Sequence, residues 1–200
     1  MATIGLDKPY YAPITMDSND VETYGTPAVL AKAIQVDLTV NLASAILYAD
    51  DGADVSINEF VNGKLSLNVN DIGTANAAAL TGATVDANGA LVSCSEDIPP
   101  YVAIGFRAKK PDGKYRYFWF YKVQFGTPAV NLQTKGESIN FNTPTIEGTV
   151  IRRNKPNAQG DHPWKTEITE GDTGVSAATI TNWFSAVYEP SYPSAGGGTT

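Results

Sequence analysis

The stretch VAIGFRAKKPDGKYRYFWFYKVQF, residues 102–125, decides the fold. Val102, Ile104, Phe106 and Ala108 recur at every second residue, the period of a strand. Pro111-Asp112-Gly113 supplies turn chemistry, and the chain returns through 114–125. On that return Tyr115, Tyr117, Phe118, Trp119, Phe120 and Tyr121 put rings on both faces. A strand with large rings on both faces must be covered on both, so this hairpin is expected at the centre of the molecule.

Working outward, Ile34, Val36, Leu38, Val40 and Leu42 alternate with Gln35, Asp37, Thr39 and Asn41, a strand with one apolar and one polar face. Phe60 and Val61 lead into Asn62-Gly63, a dipeptide suited to a type I′ turn, and Leu65, Leu67 and Val69 alternate beyond it. This predicts a hairpin turning at 62–63. Further strands are expected near 138–142, 145–152 and 164–169. Helix is scarce: an alanine-rich stretch at 72–80 ended by Gly82, and a longer one from Ser176, where Ala177, Ile180, Trp183, Phe184 and Val187 keep helical spacing until Pro190. GTPAV occurs at 25–29 and again at 126–130, turn chemistry used twice. The expected fold is mainly β: an antiparallel β-sandwich or barrel with one or two flanking α-helices, one domain over 1–193, and a flexible Gly-rich tail at 194–200.

The 200 residues are 42% hydrophobic and include three Trp, ten Tyr and seven Phe, which excludes a disordered chain. No apolar run approaches the roughly 18 residues of a membrane span, and no signal-peptide pattern opens the chain, so cytoplasmic synthesis is expected. Charged residues make up only 18%, against about 25% in an average protein. That shortfall suits a surface partly covered by partners. Residues 1–100 hold 13 acids and 3 bases, a balance of −10, while 101–200 hold 8 acids and 11 bases, a balance of +3. Unequal halves can meet head to tail. A net charge of −7 disfavours a general nucleic-acid binder.

Material for catalysis is thin. The sequence has no nucleophile elbow, Walker loop or zinc-protease helix motif, and His162 is the single histidine. Cys94, His162 and Asp161 could be written as a triad, yet neighbours in one loop rarely orient each other as triad members do. Asp50, Asp51 and Asp54 surround Gly52, which reads as a turn or, without EF-hand spacing, as a weak calcium candidate. Arg152, Arg153 and Lys155 form the one compact basic cluster, read either as a solvated loop or as an intersubunit contact. The Tyr/Trp strand is either core or, in a monomeric carbohydrate-binding or adhesion sandwich, a stacking platform.

Several segments together resemble the major tail proteins of long, flexible-tailed bacteriophages, in particular the branch common in prophages of Gram-positive bacteria. They are IGLDKPYYA at 4–12, LYADDG at 47–52, the stretch from Val102 extended to Gly136, TPTIEGTVIRRNKP at 143–156, HPWK at 162–165 and TEGDTGVSAATITNWF at 169–184. The resemblance implies a structural virion protein without cofactor. Its copies would form hexameric rings stacked into a tail tube around a tape-measure protein, bounded by tail-tip and tail-terminator proteins, and DNA would pass through the bore. No membrane is implied.

In such tubes an inner sheet presents one polar face to the lumen. Asp37, Thr39, Asn41, Ser66, Asn68 and Asn70 are the lumen candidates, although an outer solvent face would carry the same pattern. Residues 43–59 exceed the usual length of a hairpin loop and carry Asp50, Asp51, Asp54 and Glu59 without a base. Ile46, Leu47 and Tyr48 are too apolar for a solvated excursion, so the segment is expected either to fold back on its own sandwich or to reach a neighbouring ring as an arm. Arg152, Arg153 and Lys155 would be the acceptor for its acidic tip.

Overall fold

A computed structural model of the chain describes residues 2–49, 52–129, 134 and 142–192. The strands are β1 (Gly5–Met16), β2 (Glu22–Tyr24), β3 (Ala28–Val29), β4 (Ala33–Ala49), β5 (Gly52–Val69), β6 (Thr84–Val85), β7 (Leu91–Val92), β8 (Tyr101–Lys109), β9 (Tyr115–Phe125), β10 (Thr145–Val150) and β11 (Lys165–Thr169). Two short helices, α1 (Thr74–Thr81) and α2 (Ala177–Thr181), accompany them. The fold is mainly β and antiparallel. Nine strands make one sheet in the order β2-β1-β8-β9-β10-β5-β4, with β3 also on β1 and β11 also on β9; β6 and β7 pair separately.

The hairpin of β8 and β9 is the centre, as its composition demands. Phe106, Phe120, Val123 and Phe125 join Leu65, Leu67, Ile146 and Val150 in one core. Tyr117, Trp119 and Tyr121 join Ala12, Ala103, Trp183 and Val187 in a second core on the opposite face. Opposite the single residue Ala103, β9 carries both Tyr121 and Lys122. This bulge shifts the alternation by one, so Val123 and Phe125 return to the core that holds Phe120. The chain after α2 closes the second core: the Trp119 indole donates to the Trp183 carbonyl and the Tyr121 hydroxyl to that of Tyr188.

α1 ends at Gly82, whose φ of 76° is left-handed and whose missing Cβ would lie 2.4 Å from the Ile98 carbonyl oxygen. α2 is shorter than its spacing predicts. Ser176 caps it by accepting from the Thr179 amide, but Trp183 and Ser185 already bond three residues back, and no described α-helix continues to Pro190. Thr179, Thr181 and Asn182 are weak helix formers, and burial of Trp183 in the second core is met by turns instead.

A further expectation is corrected, and one strand is missed altogether. Asn62-Gly63 is not a turn: Asn62 pairs with Asn41 and Gly63 with Val40 inside continuous strands, with Val61 as a bulge. The pairing runs on to Ala49 and Gly52, and residues 50–51 lie outside the described residues. The second miss is β1, where Pro9 and Pro13 argue against a strand. A bulge at Lys8 (φ 53°) and carbonyls of Pro9 and Pro13 that accept from Leu30 and Gly25 accommodate both. The strand expected at 138–142 falls outside the described residues except Asn142, which lies in coil, and the tail at 194–200 falls outside them altogether.

Candidate functional site

Register brings the polar residues of four adjacent strands onto one face. Asp37 of β4 lies opposite Ser66 of β5, which lies opposite Glu147 of β10. Gln35, Asn68 and Thr145 form the next row, and Thr39, Lys64 and Thr149 the row after, continued by Gln124 of β9. The intervening residues, such as Val36, Leu67 and Ile146, point into the first core. Five of the six lumen candidates therefore share one surface. The sixth, Asn70, lies just beyond β5, and its side-chain oxygen accepts from the Lys32 amide.

This face is largely self-satisfied. Asn41 bonds Asn62 at 2.7 Å, Asn68 bonds Thr145 at 2.8 Å, and Gln35 bonds Asp37 at 2.8 Å. Lys64 meets Glu147 at 2.8 Å, which leaves Asp37 as the uncompensated charge among these rows. Lys64, Glu147, Thr145 and Thr149 were not among the candidates. The alternation of Thr145, Glu147 and Thr149 with Ile146, Gly148 and Val150 is the signal that marks three of them.

Beyond Asn41 and Asn62 the ribbon of β4 and β5 leaves the body as an arm. Every residue of 41–48 is exposed. Cross-strand pairing puts Leu47 beside Val55 and Ala45 beside Ile57 on one face, while Leu42, Ile46 and Tyr48 occupy the other. Ile46, Leu47 and Tyr48 are 52%, 60% and 69% exposed. Residues 43–49 and 52–59 are thus a paired strand ribbon, neither an irregular loop nor folded back on the sandwich. At its root the Phe60 ring stacks on Trp164 with centroids 4.3 Å apart. Asp54 lies near the tip; Asp50 and Asp51, the other tip candidates, lie outside the described residues.

The basic loop, read as solvated or as an intersubunit contact, is only partly solvated. Arg153 is 1% exposed, donates to Glu189 at 2.8 Å and lies over the Tyr121 ring. Burial disfavours its charge, but the Glu189 carboxylate outweighs that and raises its pKa. Lys155 meets the same carboxylate at 2.8 Å, and Arg152 is exposed. Two of the three proposed acceptors for the arm are therefore engaged inside the chain. The reason lies in Glu22, for which the sequence gives no signal. Its buried carboxylate accepts from Lys122 Nζ at 2.7 Å and from the amides of Asn154 and Lys155, drawing the loop onto the body. Burial pushes the Glu22 carboxyl up, and these donors outweigh it and hold it below the ordinary range.

Among the described residues, the largest displaced titrations sit in structural contacts. Burial pushes the Tyr24 and Tyr121 hydroxyls up, and the Asp7 carboxylate raises the Arg107 guanidinium. Cys94, Asp161 and His162 are exposed. Among the described residues no three His, Cys, Asp or Glu side chains cluster to hold a metal, and no helix is long and apolar enough to cross a membrane. Tyr117, Trp119, Phe120 and Tyr121 are all buried, so these rings offer no platform for a sugar. No family model matches the sequence, and a search of curated proteins finds no relative.

Proposed function

We propose that this chain is a structural subunit that assembles with its own copies into the stacked, hexameric-ring tail tube of a long-tailed bacteriophage, with the polar face of β4, β5, β10 and β9 lining the bore. The observation that carries the reading is the hairpin of β4 and β5. Its inner half has one polar face and one core face. Its outer half stands in solvent with apolar side chains on both faces. A lone two-stranded ribbon is marginal in water, so the arm gains its stability from a neighbouring copy. A bore wall must not hold phosphates. The Lys64–Glu147 pair cancels the base on this face and Asp37 leaves it mildly acidic, which lets DNA slide instead of binding through counterion release.

Mature protein in this reading belongs to the virion, with a tape-measure protein in the lumen during assembly and tail-tip and tail-terminator proteins at the ends. Electron microscopy and sedimentation at rising concentration, with and without tail initiators, test it. Rings or tubes are expected from the whole chain, and deletion of 50–54 is expected to leave a folded subunit that does not stack. A strict monomer under all these conditions would refute the proposal.

A further inference from the structure

Residues at the starts of β1 and β4, with others from β8, β9 and β11, line a groove of about 490 Å³ open to solvent. Leu6, Val36, Leu38, Phe106, Phe118 and Phe120 line it. Arg116 and Lys165 belong to the same lining. The Arg116 Nε donates to the Thr169 hydroxyl at 3.3 Å, and Lys165 meets the exposed Glu167 at 3.1 Å. This is a largely apolar slot whose lining includes two bases, one of them paired with Glu167, of a size that holds a few side chains.

The molecule carries the complement of that slot on its arm. Leu47, Val55, Ala45 and Ile57 form a continuous apolar strip, and the residues from 33 to 63 contain Asp37, Asp50, Asp51, Asp54 and Glu59 without one Lys or Arg. The strip cannot reach the groove of its own chain. Leu38 in the groove and Tyr48 near the tip are ten residues apart on one extended strand, which sets them about 33 Å apart and fixes them there. Tip and slot lie toward opposite ends of the same strand, the arrangement that joins copies head to tail without closing a dimer.

Resting on the tail-tube reading, we infer that the groove lined in part by Arg116 and Lys165 is the socket for the arm of a second copy of this chain, with the Leu47–Val55–Ile57 strip against Leu38 and the phenylalanines, and Asp54 toward the two bases. At 152–155 Arg153 and Lys155 hold Glu189, while at the groove Lys165 holds the exposed Glu167 and Arg116 bonds only a neutral hydroxyl among the described residues, so Arg116 is the base that the groove offers to an incoming acid. Contacts between exposed charges weaken beyond a Debye length of about 8 Å at physiological salt, so the apolar strip supplies affinity and the charges supply direction.

Two measurements test the socket. In a Cys94→Ser background, Leu47→Cys combined with Ile34→Cys, which lines the groove, is expected to give a ladder of disulfide-linked species under oxidation; Leu47→Cys with Thr39→Cys on the polar face is expected to give none. Separately, Arg116→Glu with Lys165→Glu is expected to abolish tubes while the subunit keeps its circular dichroism and melting profile, and adding Asp54→Lys is expected to restore part of the assembly. Tubes that form normally from the Arg116→Glu/Lys165→Glu chain, or equal crosslinking at Ile34 and Thr39, overturn the socket and leave the tail-tube reading standing. A wild-type chain that never polymerises overturns both.

Discussion

Glu22→Gln is the substitution whose cost the structure defines most closely. The Glu22 side chain is 1% exposed and accepts from Lys122 Nζ at 2.7 Å, the Asn154 amide at 2.8 Å and the Lys155 amide at 2.7 Å. Gln preserves the volume, removes the charge, and turns one acceptor oxygen into a donor facing other donors. Lys122, itself 4% exposed, is left as a buried cation beside the Tyr101 ring at 4.9 Å. Breaking one member of a buried pair costs about 3–5 kcal/mol. For a chain of this size each kcal/mol moves Tm by about 2–4 °C, so a drop of roughly 6–20 °C is expected.

Urea and thermal unfolding of the subunit, at a concentration below assembly, measure this cost. Lys122→Met should cost less, because Glu22 keeps its two backbone donors. Acid provides an independent readout. The folded Glu22 carboxyl lies below its unfolded value, so its contribution is complete above the unfolded pKa of about 4.3 and disappears as pH falls through the folded value. The wild type should therefore lose stability in acid more steeply than Glu22→Gln. A loss under about 1 kcal/mol, together with identical acid limbs, would refute a dry, charged pair holding the 154–155 loop.

Asp37→Lys should leave tubes intact and slow DNA ejection from virions carrying it, measured as release kinetics; tubes that fail to form would place Asp37 in an interface instead. Gly148→Ala would set a Cβ 2.7 Å from the Phe125 ring, and a stability loss of about 1–3 kcal/mol in urea unfolding is expected from such overpacking. Ser176→Ala removes the side-chain acceptor of the Thr179 amide, for a loss of about 1 kcal/mol and faster amide exchange at Thr179.

What could be read from the sequence was whatever the pattern of side chains alone decides. The rings of 115–121 announce a strand buried on both faces, and the alternation at 34–42 announces a polar face that register then extends over β5, β10 and β9. What could not be read depends on partners distant in sequence. Asn62-Gly63 has the chemistry of a turn, but cross-strand pairing with Asn41 and Val40 holds it extended. Pro9 and Pro13 hide β1, whose pairing to β8 spans about a hundred residues. Arg153 looks like a surface base until Glu22, from a strand 131 positions earlier, and Glu189 draw its loop inward.

Trp119 and Phe120 are neighbours on one strand yet belong to different cores. A slip of β9 by one residue would drive an indole into the space of a phenyl ring and the reverse, so neither core can loosen while the other stays packed. Unfolding of the body is then a single cooperative event, with one calorimetric transition for both cores. In the proposed tube, a wall built from such units would behave as a chain of stiff links joined by softer hinges: under load it would yield at the contacts between copies before any copy yields within itself.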